Sequence, residues 1–235
     1  MPVKLFILGR PGSGKSTAAR RIMKLIMNRE GAYVRINDFN ILKEMYEEEK
    51  KLDRFLFFRP IDNDGFDVVD FNVLDITLDK VKSLAKKYTT SANHDLVIIE
   101  FARDDYSVAL QRFDPTFLSD AYFLFLDADL DTCVKRVYER TAHPVTPDDN
   151  FVSDQMIRNY YYLDNRPYMT TNFAADYDLD NRQLKIFENT GALEDFNDMV
   201  VNFIEFILDQ ETHKTRQTEP IQIIPYFVSD TELAK

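Results

Sequence analysis

Gly9-Arg10-Pro11-Gly12-Ser13-Gly14-Lys15-Ser16 satisfies the spacing G-x-x-x-x-G-K-[ST]. These residue types suit the holding of a polyanion. Glycines let the backbone curl until successive N–H groups converge on phosphate oxygens. The N-terminus of a helix behind the loop adds partial positive charge. Lys15 then supplies a point charge at the outer phosphates of a nucleoside triphosphate. Ser16, followed by Thr17, offers a hydroxyl to a magnesium ion. The flanks agree with this chemistry. Val3-Lys4-Leu5-Phe6-Ile7-Leu8 reads as a buried strand, and Ala19, Ile22, Met23 and Ile26 share one face of a helix. The expected cofactors are ATP and Mg2+.

Other residues complete the chemistry if the fold brings them to the loop. Asp38 follows the apolar run Tyr33 to Ile36, and Glu100 follows Leu96-Val97-Ile98-Ile99. Phosphoryl transfer needs one group to orient the metal and another to take the proton of the attacking hydroxyl. Asp38 is expected to touch the acceptor, and Glu100 to orient magnesium through water. Arg103 is a cation for an acceptor phosphate, or else a surface partner of Asp104 or Asp105. Arg136 and Arg140 share a helical face, and Arg158 stands on the next helix. Two arginine-bearing helices joined by a loop describe a lid that closes guanidinium groups over developing charge. Phe55-Leu56-Phe57-Phe58-Arg59 and Tyr160-Tyr161-Tyr162 are aromatic runs for a base-stacking pocket, with Arg59 at its side, or for the core.

Elements must position these groups. Strands are read at 3–8, 33–36, 96–99, 121–126 and 184–187, separated by helical patterns. The stretch 39–93 reads as mostly helical, as do 131–140 and 153–166, the last stopped by Pro167. A final amphipathic helix is read from Gly191 to Leu208. Strands alternating with helices imply a parallel sheet covered on both faces. Ligands of such sheets sit beyond the carboxyl ends of the strands, where the loop, Asp38 and Glu100 all fall.

Composition narrows the classes. A net charge of −11, from 29 basic and 40 acidic residues, weighs against a nucleic-acid partner. The single Cys133 excludes a disulfide within the chain, and His94, His143 and His213 lack metal-ligand spacing. Met1-Pro2-Val3-Lys4 runs directly into the first strand, and no apolar run reaches membrane-spanning length. A cytoplasmic setting without membrane contact is expected.

Taken together, residues 1–208 resemble the P-loop kinase group that includes nucleoside, nucleotide and polynucleotide kinases. Ile36-Asn37-Asp38-Phe39 is similar to the segment of polynucleotide 5′-kinases and zeta-toxin-like kinases that carries the acceptor-activating Asp. Glu100 with Arg103 resembles the acidic-then-Arg segment of deoxynucleoside and nucleoside monophosphate kinases. Arg136 and Arg140 resemble the lid arginines of the group. Asn189-Thr190-Gly191 occupies the place where such kinases hold adenine. The resemblance implies an α/β three-layer fold with a five-stranded parallel sheet of order 2-3-1-4-5. It also implies a helical acceptor region at 39–93, a lid at 136–166 and a C-terminal tail at 209–235. The activity implied is ATP- and Mg-dependent phosphoryl transfer to a small-molecule acceptor, with nucleosides and nucleotides foremost. A 5′-hydroxyl polynucleotide kinase and a nucleotide-dependent switch are the alternatives.

Overall fold

The computed structural model describes residues 2–61, 65–91 and 93–218. In chain order the strands are β1 (Val3–Leu8), β2 (Tyr33–Asn37), β3 (Phe58–Ile61), β4 (Gly65–Val68), β5 (Leu96–Phe101), β6 (Tyr122–Asp127) and β7 (Leu184–Glu188). The longer helices are α1 (Lys15–Asn28), α2 (Asp38–Lys51) and α3 (Asn72–Thr89). Short helical turns α4 (Tyr106–Ala109) and α5 (Pro115–Leu118) precede α6 (Leu130–Ala142). Next come α7 (Asp154–Asn159), α8 (Arg166–Thr171), α9 (Phe173–Asp176) and the long α10 (Leu193–Thr218).

Five strands form one sheet in the order β2-β5-β1-β6-β7, every pair parallel. With the separate β3–β4 hairpin set aside, this is the expected 2-3-1-4-5 order. The register places Asn37 opposite Glu100, and Glu100 opposite Ile7. The carboxyl ends of β1, β2 and β5 therefore finish side by side.

Each central strand buries alternate residues on opposite faces, as a pleat with period two requires. Phe6 and Leu8 of β1, Val97 and Ile99 of β5, and Phe123 and Phe125 of β6 join one core with Leu78 and Val81 of α3. Leu5, Ile7, Ile98 and Leu124 point the other way, onto Ile22 and Ile26 of α1 and Val200 and Ile204 of α10. Phe6 sits centrally in the first core, stacked on Phe123 at 4.9 Å and edge-on to Phe113 at 5.3 Å.

Three local expectations need correction. The stretch 39–93 contains the antiparallel β3–β4 hairpin as well as α2 and α3. Phe58 and Phe66 fold the hairpin back on Leu42, Tyr46, Val73 and Leu74, a small core of its own. Its aromatics supply burial that helical periodicity does not reveal. The helix read at 153–166 ends at Asn159, and Pro167 opens α8 instead of stopping a helix. A proline in the first turn removes an N–H that has no partner there in any case. The last helix starts at Leu193 and runs to Thr218, past the expected end at Leu208. Most of the tail at 209–235 lies outside the described residues.

Because Phe6 is fully buried against four aromatic rings, Phe6→Ala is expected to cost about 3–5 kcal/mol. Urea denaturation of the two proteins measures this. A loss below about 1 kcal/mol would mean that the aromatic cluster closes over the gap.

Candidate active site

Residues 9–14 link β1 to α1 and are held from two sides. The N–H of Gly9 donates to the Tyr106 hydroxyl at 2.7 Å, and that hydroxyl lies 3.1 Å from the Phe101 carbonyl. Tyr106 is fully buried, and burial pushes its phenol well above the ordinary value, so it remains a neutral brace. On the far side the Asn189 amide donates to the Ser13 carbonyl at 2.8 Å. Gly12 and Gly14 have φ of 83° and 105°. A Cβ at Gly12 would strike the Cys133 carbonyl, and one at Gly14 would lie 2.6 Å from the Asn189 amide nitrogen. Only glycine meets both the conformation and the crowding.

Lys15 is buried, and its ammonium donates to the carbonyls of Gly9 at 2.8 Å and Arg10 at 3.0 Å. Burial lowers its pKa, against the pull of Glu100 and Asp38. A polyanion in the loop would relieve that strain on the charge. The Ser16 hydroxyl donates to Glu100 Oε1 at 2.8 Å. The other Glu100 oxygen accepts from Arg35 Nη2 at 2.6 Å and Nε at 3.0 Å. Burial opposes the Arg35 charge, but Glu100 and Asp148 outweigh it and hold the pKa above its usual value.

Asp38 is placed by its neighbours in sequence. β2 passes directly into α2, whose N-cap is Asn37, with Oδ1 accepting from Phe39 N at 2.9 Å. Asp38 Oδ2 then accepts from Arg103 Nη1 at 2.6 Å and from Ala102 N at 3.2 Å. Both partners of this ion pair are buried, and Arg103 Nη2 goes to the Leu74 carbonyl at 2.6 Å. Arg103 therefore pairs neither with Asp104 nor with Asp105, and it does not line the cavity. It holds Asp38 in place.

A single cavity of about 380 Å³ runs from the loop to α2 and α6. Lys15, Ser16, Thr17, Asp38, Glu100, Arg136, Arg140, Asn189 and Gly191 all line it. Arg136 Nη1 and Ser13 Oγ are buried without a hydrogen-bond partner. Arg140 donates to the Asn150 carbonyl at 2.7 Å and 3.2 Å, and burial lowers its pKa despite Asp149, Glu100 and Asp148 nearby. These features fit a triphosphate: a loop whose positive-φ glycines allow it to curl, a buried ammonium and a buried guanidinium nitrogen without a partner. A serine hydroxyl beside a carboxylate is a hard-oxygen pair suited to Mg2+. Among the described residues no cluster of three or more His, Cys, Asp and Glu could hold a metal. Magnesium commonly takes few protein ligands and relies on phosphates and water.

A family model described as an AAA domain matches residues 5–157, from β1 through most of α7. The chain belongs to the AAA domain family. No curated protein matches it in sequence. Among solved structures this AAA domain is similar to a gluconokinase from Sinorhizobium meliloti 1021, at 12% identity and TM-score 0.53, over 91% of this chain and 97% of that one. That match establishes the fold, the α/β P-loop kinase architecture. Shikimate kinase from Acinetobacter baumannii aligns over 89% of this chain and 95% of its own, at 12% identity and TM-score 0.43. APS kinase from Mycobacterium tuberculosis aligns over 87% and 98%, at 15% identity and TM-score 0.47.

Some predicted site residues of this AAA domain stand elsewhere. The Arg10 side chain turns away from the loop, donating to the carbonyls of Ala128, Tyr161 and Leu163. Thr190 lines a neighbouring cleft with Arg10 and Asp127. Arg59 is exposed on the hairpin and paired with Asp67 at 3.0 Å. Arg158 is tied to Asp131 and Asp154 at the surface. Of the aromatic runs, Phe58 is core and Tyr161 lines the cavity. Cys133 is buried, and burial pushes its thiol up to about 11, so it is packing and no nucleophile.

Sequence reasoning missed Arg20, Arg35 and Asp148. Asp148 bridges Arg20 Nη1 at 2.6 Å and Arg35 Nη1 at 2.9 Å, clamping the loop after α6 over the cavity. Arg20 had a readable signal, since it lies four residues after Ser16 on α1. Asp148, in a loop, had none.

The buried and exposed arginine pairs are expected to differ in weight. Arg103→Met leaves Asp38 buried without a cation and should cost about 3–5 kcal/mol. Arg158→Ala, at the surface, should cost far less. Chemical denaturation of both variants gives the comparison, and equal losses would contradict the placement of Arg103.

Proposed function

We propose that this protein is a phosphotransferase that uses ATP and Mg2+ to phosphorylate a small hydroxyl- or phosphate-bearing metabolite of the nucleoside or nucleotide class. The observation that carries the proposal is one cavity lined by the phosphate loop, two α6 arginines and Asp38. Its volume lies in the range of small-molecule sites. The gluconokinase that shares the fold supports the same reaction type.

In this reading the amides of residues 12–16 cradle the triphosphate, and Lys15 leaves the Gly9 and Arg10 carbonyls for the outer phosphates. Ser16 and, through water, Glu100 would hold magnesium, which would supply positive charge at the phosphates. Arg136 and Arg140 receive the charge that develops on the transferring group. Asp38, fixed by Arg103 and the Ala102 amide, accepts the proton of the acceptor hydroxyl. Asn189 and Gly191 border the place of the base, and Thr190, which lines the neighbouring cleft, has no part in it. Arg103 acts here through Asp38. Arg59 and Arg158, expected to bind substrate, have no part in the proposal. A cytoplasmic setting is part of the proposal; among the described residues no helix is long and apolar enough to cross a membrane.

Acceptor-dependent release of ADP is the measurement. Arg140→Ala should lower kcat by about ten- to a thousandfold with little change in ATP affinity, as expected for a group acting on the transition state. Asp38→Asn should keep nucleotide and magnesium affinity and lose transfer by about a hundredfold or more. Steady ATP consumption that ignores every acceptor would make the protein a slow hydrolytic switch instead. Full activity of Asp38→Asn, with Glu100→Gln dead at every magnesium concentration, would reverse the two carboxylates.

A further inference from the structure

The acceptor end of the cavity shows which charges are still available once a nucleotide is bound. The cations that line the cavity are Lys15, Arg20, Arg136 and Arg140. On the phosphotransferase reading, on which this inference rests, Lys15, Arg136 and Arg140 face the triphosphate. Arg20 is already paired with Asp148 at 2.6 Å. Behind the lining, Arg35 is committed to Glu100 and Asp148, and Arg103 to Asp38 and the Leu74 carbonyl. Among the described residues no lining cation remains for a second anion.

The surroundings of Asp38 point the same way. Phe39, Leu42, Ala102 and Tyr161 line the cavity with it, all apolar or aromatic. Asp38 and Leu42 lie one helical turn apart at the start of α2. Phe39 is stacked on Phe66 at 5.6 Å, which fixes its ring. Tyr161 is buried, and burial holds its phenol well above the usual value, so its hydroxyl stays protonated. An anionic group on the acceptor would sit beside Asp38 and Glu100, whose arginines are already committed to them, and would find no further cation among the described residues to offset its own charge. A hydroxyl meets one carboxylate that takes its proton and a wall that packs against a flat or apolar body.

We infer that the acceptor is an uncharged hydroxyl compound with a flat or apolar body, nucleoside-like, and that acceptors bearing phosphate or carboxylate are rejected. The transfer balances simply. The acceptor oxygen forms the new P–O bond, the bond from the terminal phosphorus to the bridging oxygen of ATP breaks, ADP leaves, and the hydroxyl proton goes to Asp38.

The test uses matched pairs on the wild-type full chain: nucleosides against their 5′-monophosphates, and neutral sugars against the corresponding aldonic acids and sugar phosphates. Transfer is followed by ADP release, and binding to protein saturated with ADP and magnesium by calorimetry. The neutral member of the preferred pair should exceed its anionic partner by at least about a hundredfold in kcat/KM. Equal or better use of the anionic member overturns the inference and leaves the phosphotransferase reading intact. Turnover and binding absent for both members of every pair overturn both. Phe39→Lys and Leu42→Lys, each checked for an unchanged thermal midpoint, add a free cation beside Asp38. At least one that folds should shift the preference toward the anionic member by about tenfold or more, and no shift in a folded variant counts against the inference.

Discussion

The backbone of residues 9–14 is fixed by hydrogen bonds from outside the loop, and the rest of the site depends on that fixation. Tyr106, from the segment after β5, meets the Gly9 amide, and Asn189, after β7, meets the Ser13 carbonyl. Segments that follow strands three places apart in the sheet thus converge on one turn. A loop held this way presents its amides without reorganising, and a pre-ordered set of donors is worth more than a flexible one. The sheet order matters for the same reason. With β1 between β5 and β6, the carboxyl ends of β5 and β2 line up beside the loop, and Glu100 and Asp38 arrive there as strand ends.

The second constraint is charge. Buried carboxylates are costly unless paired, and this site pairs them by layers. Arg35 serves both Glu100 and Asp148, and Arg103 serves Asp38. These arginines keep Glu100 and Asp38 oriented while the arginines of α6 remain available to the cavity. The two sets are easily confused in sequence, since all are arginines near acidic residues. Partners and position separate them: Arg136 lines the cavity with its Nη1 unpaired, whereas Arg103 lies behind the lining with its Nη1 and Nη2 donating to a carboxylate and to two backbone carbonyls.

Much of this was legible in the chain. The phosphate loop could be read because its residue types are dictated by one backbone shape, and the central strands because both of their faces are apolar. Asp38 and Glu100 were legible as strand ends in a parallel sheet. The hairpin at 58–68 was not, because its burial is aromatic clustering between distant residues such as Tyr46 and Phe66. Pro167 misled because proline stops one helix and starts another by the same missing N–H. The clamp of Asp148 on Arg20 and Arg35 spans more than a hundred residues and leaves no local pattern.

The central claim is that the loop of residues 9–16 is a ready-made triphosphate site whose charge is supplied by Lys15. Titration calorimetry of ATP with magnesium into wild type and into folded Lys15→Ala tests it most directly. Wild type should show clear saturable binding, and the variant should lose most of that affinity while keeping its thermal transition. Wild-type affinity in folded Lys15→Ala would contradict it.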